Sequence, residues 1–371
     1  MSMSISRLKS TYSGFIEGKT VDQFFSEYNV KFAAGTWTAG DFSDRFNRSG
    51  YFPNLPRGLV DQLRRVRESG IEGVVPIDAQ FLDDNLKVKE DLINEVKATA
   101  SELGLKIAGL GMDISGFHVF KLGSLTNPDP KVRELALSTL TQSLEIARML
   151  GLDSVSLWLG PDGWDYSLES NYGKKIKELY EGLLTLGKEA HRLGIRSFGL
   201  EAKPKEPREG NLIIPTSHVS IMLANRLNND LGVKLFGITI DYGHELMYAV
   251  EPAYTVYLAK EQGVSVATVH INTAKWHSND EDRVVGTGDA WHFVDFLYAL
   301  LDTGYSGWFT LDQFTYRLNP VDGLRLSKEL FANLYKKALA LYLSRDEFEN
   351  IRSTGDQAKI LDYVKRIMYG L

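Results

Sequence analysis

Eight short apolar segments, each followed by an amphipathic stretch, recur along this chain, and that alternation limits the fold more than any other feature. The apolar segments span 30–34, 73–77, 106–110, 154–158, 196–201, 235–241, 267–271 and 308–312, and their length and content predict strands. The stretches at 56–69, 91–103, 130–150, 174–193, 216–229, 253–262, 291–303 and 321–343 space their apolar residues as a helix does. Gly70, Gly104, Gly151, Gly194, Gly263 and Gly304 close several of these stretches, as glycine does where a helix ends in a left-handed residue. No Asn-Gly or Asp-Gly pair joins two short alternating runs, so hairpins are not expected. Eight strand-then-helix units read as an α/β chain closed into a (β/α)8 TIM barrel. An open doubly wound sheet would carry a glycine-rich first turn, and GTWTAGDF at 35–42 does not match that fingerprint.

With 371 residues, 43% of them hydrophobic and 24% charged, the chain has ample core material and is not of disordered composition. The expected division is a barrel over 1–344, with a short polar lead-in to about residue 28, and a C-terminal helical extension over 345–371. That extension is charged and ends in LDYVKRIMYGL; contact with another subunit in a homodimer or homotetramer and a solvated helix are its two readings. A net charge of −6 weighs against nucleic acid as a partner. There is no cysteine, so any metal must be held by oxygen and imidazole. MSMSISRLKSTYSGF lacks the apolar core of a signal peptide and no 18-residue apolar run occurs, so a cytoplasmic protein with no membrane contact is expected.

In such a barrel, reactive groups stand at the carboxyl ends of the strands. EAKPKEPR at 201–208 places Glu201 and Lys203 together at the end of the fifth strand, on one face because strand side chains alternate. Trp158 ends the fourth strand, Asp241 and His244 follow the sixth, His270 and Asn272 end the seventh, and Asp312 ends the eighth. Asp280 and Asp282 sit in the loop after the seventh. A lone inward acid is usually a paired structural residue, and a D-E-D run alone is an ordinary solvated loop. Convergence changes this, because five carboxylates around one pocket cannot all stay ionised without cations. The five negative charges of Glu201, Asp241, Asp280, Asp282 and Asp312 are balanced by two divalent ions together with Lys203. Oxygen-dominated ligation with one or two imidazoles suits Mn²⁺, Mg²⁺ or Co²⁺. In the D-E-D loop the outer acids share a side and Glu281 is expected to point away. His191, His218 and His292 fall in helical stretches and are expected to be structural or on the surface, while His118 and His277 lie in loops within reach of the pocket. Trp276 is expected in the core. Trp37 and Trp158 read either as core aromatics or as faces for the C–H side of a sugar.

These pieces together resemble the xylose isomerase-like family of TIM-barrel sugar isomerases. The resemblance runs from KFAAGTWTAGDF (31–42) through HVFKLGSLTNPD (118–129), VSLWLGPDG (155–163), EAKPKEPR, DYGHE (241–245) and HIN followed by DED (270–282) to Asp312. It implies that Glu201, Asp241 and Asp312 bind a first divalent cation, with Asp241 bridging to a second held by His244, Asp280 and Asp282. Lys203 is then the contact to the substrate carbonyl oxygen, and Lys203, Glu201 and Asp312 are the expected catalytic residues. Trp37, Trp158 and His118 are the expected substrate-binding residues. The implied reaction is a metal-assisted hydride shift between C1 and C2 that interconverts an aldose and a ketose. Xylose isomerases have an aspartate on strand seven where this chain has Asn272; rhamnose isomerases have a histidine near this position, so His270 is the expected ligand and Asn272 the reserve. The family's ring-opening histidine on strand two has no counterpart in VVPIDAQ (74–80). Either Asp78 substitutes in part, or the substrate arrives open, or activity on aldopyranoses is weak or lost.

Three other readings remain open. A keto-sugar epimerase on the same barrel holds one metal with a Glu, Asp, His, Glu set and passes a proton through an enediolate. It has no need of Lys203 or the Asp280–Asp282 pair. An endonuclease for abasic DNA would want more histidines and a basic groove. A non-isomerising relative would keep the ligands without the ring-opening step. No glycine-rich turn or arginine pair marks a phosphate site.

Overall fold

In a computed structural model describing residues 5–206 and 210–371, eight parallel strands form a barrel wrapped by helices. Pro207 and Arg208 of the EAKPKEPR run lie outside the described residues. The strands are β1 (Lys31–Gly35), β2 (Gly73–Val75), β3 (Lys106–Ile107, resuming at Leu110–Met112), β4 (Ser154–Trp158), β5 (Ser197–Glu201), β6 (Phe236–Asp241), β7 (Val266–Ile271) and β8 (Trp308–Leu311). Each pairs in parallel with its sequence neighbour, and β1 pairs with β8. The ring closes at the interruption in β3. Its first half pairs with β2, its second half with β4, and a parallel bridge from Ile77 to Gly111 spans the gap.

The helices are α1 (Ile5–Thr11), α2 (Lys19–Tyr28), α3 (Leu59–Glu68), α4 (Glu90–Leu103), α5 (Pro130–Met149), α6 (Tyr172–Arg192), α7 (Ser217–Leu231), α8 (Tyr242–Met247), α9 (Pro252–Glu261), α10 (Ala290–Asp302), α11 (Pro320–Leu343), α12 (Arg345–Arg352) and α13 (Gln357–Gly370). Their apolar faces pack on the outside of the barrel; Phe198 of β5 and Phe236 of β6, both buried, lie with ring centres 4.8 Å apart. Gly104, which ends α4, has φ +67°, and Gly151, Gly194 and Gly304 have φ near +80°, a conformation that costs glycine little.

The lead-in is not the polar arm the sequence suggested. Helices α1 and α2 bury Leu8, Phe24, Phe25 and Tyr28, and Tyr12, just past α1, is buried with them. Phe25 packs on Phe32 of β1 and Phe331 of α11, and Phe24 on Tyr335. The extension folds back on its own barrel: Phe348 of α12 stacks on Tyr363 of α13 and meets Tyr298 of α10 edge-on. A two-residue antiparallel ribbon, Gly163–Trp164 with Asn211–Leu212, and isolated antiparallel bridges Leu82–Val88 and Lys205–Asn211 are pairings the absence of hairpin signals did not anticipate. Among the described residues no helix is long and apolar enough to cross a membrane.

Candidate metal centre and active site

All eight strands run the same way, so their carboxyl ends share one mouth, and a cavity of about 320 Å³ opens there. Glu201 is the last residue of β5, Asp241 the last of β6, His270 the penultimate of β7, and Asp312 the first beyond β8. One ligand atom from each of these four lies within 4.8 Å of every other, a spacing that fits one shared cation. His270 Nδ1 stands 3.3 Å from a Glu201 oxygen and 3.4 Å from an Asp312 oxygen, yet is buried with no well-aligned hydrogen bond among the described residues. A buried ring nitrogen aimed at carboxylates without a bond is suited to ligation.

A second group, Asp241, His244 and Asp280, satisfies the same spacing and shares Asp241 with the first. Asp241 caps α8 by accepting the His244 backbone N–H at 2.9 Å, which swings the imidazole beside it. His244 Nδ1 lies 2.9 Å from the Ala202 carbonyl, so the N–H there donates to it and Nε2 faces Asp280 at 3.0 Å. Both groups therefore fit a divalent cation in donor type and spacing.

Asn272 lies between them, and its amide orientation is fixed. Its oxygen accepts the Gly243 N–H at 2.8 Å, while its nitrogen donates to Asp241 at 3.1 Å and to Asp282 at 2.8 Å. A flipped amide would set oxygen against carboxylates and N–H against N–H. Asn272 thus holds Asp241 and Asp282 with both its polar atoms engaged, and His270 is the β7 residue within the four-residue group. Asp282 lines the cavity tied to Asn272 and stands outside the closest ligand group. Its φ of +43° is unusual for a non-glycine residue. Glu281 turns away, to Ser278, Lys275 and Arg283.

Lys203 is buried beside the second group. Its ammonium meets Asp280 at 2.8 Å and Glu206 at 2.9 Å, and lies 5.2 Å from the centre of the Trp158 ring. Trp37 donates its indole N–H to Asp312 at 2.6 Å. Trp158 also lines the cavity, and its indole nitrogen is buried without a partner among the described residues. The charges are mutually dependent. Burial, then Asp280, Asp312 and Glu201, push the Asp241 carboxyl up to about 7, against the pull of His244. Burial would lower His244, but Asp241 and Asp280 raise it to about 9. His270 is likewise driven up by Glu201 and Asp312 against its desolvation. Asp280, though buried, is held low by His244 and Lys203.

Several expected residues stand elsewhere. His118 begins a single 3-10 turn that buries Phe120, which leaves the imidazole exposed and outside the cavity lining. His277 and His191 are exposed, His292 pairs with Glu251 and packs on Trp276, and His218 lies on the far side of α7 from the cavity. Asp78 is fully buried behind the wall, accepting from Ala79, Asp113 and Ser143, so it cannot meet a substrate as the missing strand-two histidine would. Ile77 takes the cavity-facing place on that strand. Sequence reasoning missed Asp113, Glu206, Phe314 and Tyr316, all of which line the cavity. Glu206 was within the quoted motif and could have been singled out; the others carry no local signal.

An eight-stranded barrel with carboxylates and imidazoles converging at the strand ends defines an α/β barrel equipped to hold divalent cations. The chain belongs to the xylose isomerase-like TIM barrel family, whose model matches residues 63–334. Solved structures agree in fold. A xylose isomerase domain protein from Alicyclobacillus acidocaldarius subsp. acidocaldarius is 21% identical with a TM-score of 0.59, over 84% of this chain and 99% of its own. A D-tagatose 3-epimerase-like protein is 19% identical with a TM-score of 0.61, over 85% and 100%. An L-ribulose 3-epimerase is 16% identical with a TM-score of 0.60, over 87% and 98%.

Proposed function

We propose that this protein is a divalent-cation-dependent aldose–ketose isomerase that moves hydride between C1 and C2 of an open-chain sugar. The observation that carries this reading is the pair of ligand groups sharing Asp241, with the Lys203 ammonium beside the second. Glu201, Asp241, His270 and Asp312 would hold one cation, and Asp241, His244 and Asp280 another. Bound there, such ions supply Lewis acidity toward a carbonyl and fix substrate hydroxyls. Lys203 would donate to a carbonyl oxygen, and its contacts to Asp280 and Glu206, which favour its charged form, support this reading. Asp312, which accepts the Trp37 indole N–H on one oxygen, would hold the first cation through the other, which faces His270. The proton leaves O2, hydride passes from C2 to C1, and O1 takes a proton, so atoms balance. Trp37, Trp158 and Phe314 offer apolar faces to the C–H side of the sugar and exclude water from the path.

The test is turnover of an aldose panel in deuterated water with Mn²⁺ present. Product free of carbon-bound solvent deuterium is expected; label incorporated at every turnover overturns the hydride shift. That second outcome would favour a keto-sugar epimerase. Glu201, Asp241, His270 and Asp312 form a complete one-ion set without His244 or Asp280, which is what such an enzyme needs, and two of the structural neighbours above are described as epimerases or epimerase-like.

A further inference from the structure

The cavity wall facing the cation ligands carries a carboxylate that the proposed chemistry does not use. Asp113 follows the second half of β3 and lines the cavity. In a closed ring of eight strands, β3 lies four strands from β7 in either direction, so Asp113 stands across from His270. Its placement is held firmly. Its backbone N–H donates at 2.8 Å to Asp78, whose carboxylate is fully buried and also receives Ala79 at 2.7 Å and the Ser143 hydroxyl of α5 at 2.6 Å. Ser115 N–H donates to the Asp113 carboxylate at 2.8 Å. Among the described residues no cation stands within ion-pair distance of it. Burial raises its pKa, and the charge of Glu201 adds to this.

A half-buried carboxylate with one backbone donor and no ion-pair partner among the described residues keeps lone pairs free for further donors. Sugar hydroxyls are such donors, whereas a phosphate or carboxylate brought there would set like charges together. Lys203 is the sole lysine or arginine among the described lining residues, and Asp280 and Glu206 already engage it. A cavity of about 320 Å³ is at the small end for ligand sites and suits a short polyhydroxylated chain reaching from one wall to the other.

We infer that Asp113 is a specificity-determining residue: it accepts hydrogen bonds from hydroxyls at the end of the sugar remote from the cations, and it excludes phosphorylated or carboxylated sugars by like-charge repulsion. The inference takes the sugar from the isomerase reading and adds how the sugar is chosen. Binding of xylitol, sorbitol and sorbitol 6-phosphate is measured by calorimetry with Mn²⁺ present, independently of turnover. Wild type should prefer sorbitol to its phosphate by at least tenfold. Asp113→Ala should weaken polyol binding about tenfold, the scale of one charge-assisted hydrogen bond. Asp113→Asn should narrow the gap between sorbitol and its phosphate, and Asp113→Glu should recover part of the polyol affinity. In active protein the losses should fall on KM more than on kcat. Should Asp113→Ala fail to fold, the isosteric Asp113→Asn decides on both readouts. Unchanged polyol binding in the variants, a phosphate gap in Asp113→Asn as wide as in wild type, or no polyol binding by wild type overturns the role. Absence of turnover with every sugar would instead defeat the isomerase reading and leave the binding comparison to judge Asp113.

Discussion

Gly243 has no room for a side chain, because a Cβ there would come within 2.7 Å of Asn272 Oδ1, the atom its own N–H bonds. Gly243→Ala should therefore cost about 1–3 kcal/mol, the usual penalty of overpacking, read from denaturant unfolding. Asn272→Ala leaves room but releases Asp241 and Asp282, and should lower Mn²⁺ affinity about 10- to 100-fold in a metal titration, as loss of an outer partner of a ligand does. The four-residue group was legible because Glu201, Asp241, His270 and Asp312 are acids or an imidazole at the ends of apolar strands. The orienting role of Asn272 was not, since an amide beside a motif histidine does not announce which atom faces the ion. Asp113 was harder still: in GMDISG it looks like any turn aspartate, and only ring closure sets it across the cavity.

At the scale of elements, β4 was read to the residue, and the other strands mostly to within one or two, because each is a compact apolar run bounded by polar residues or glycine. The break in β3 was not foreseen. Its segment, KIAGLGM, is continuous in hydropathy, and the interruption arises from having to pair with β2 at one end and β4 at the other. Helix α8, at six residues, is too short to show a period; its N-cap is Asp241 itself. The lead-in looked polar because its buried residues are few and widely spaced between charged ones. Helices α12 and α13 bury Phe348, Ile367 and Met368, so deleting 345–371 should lower stability by several kcal/mol, at about 1.5–3 kcal/mol per buried apolar side chain. A thermal melt reads that loss. Sedimentation of the same variant decides between the subunit-contact and solvated-helix readings of the extension, since α13 leaves Leu361 and Tyr369 exposed.

For the molecule as a whole, the acidic centre ties stability to pH and to cations. Asp241 titrates near 7 in the fold against an ordinary 3.8, so its contribution is complete below about pH 4 and is lost as pH rises through 7. His244, raised from 6.5 to about 9, acts in the same direction over a higher window: its contribution is complete below 6.5 and gone above 9. Cation-free protein should accordingly melt at lower temperature as pH climbs from 5 toward 9, and Mn²⁺ should restore it with the largest gain at the alkaline end. A melt unchanged by Mn²⁺ across that range would contradict a cation role for this cluster.

The sharing of Asp241, with Lys203 against Asp280, makes the two ligand groups unequal. On the proposed two-cation reading, Glu201, His270 and Asp312 would share the common carboxylate with one ion, while a second near His244 would compete for that oxygen and for Asp280, which Lys203 already engages. Under that reading one ion should be retained and the other should exchange, so dialysis should strip the pair in order rather than together.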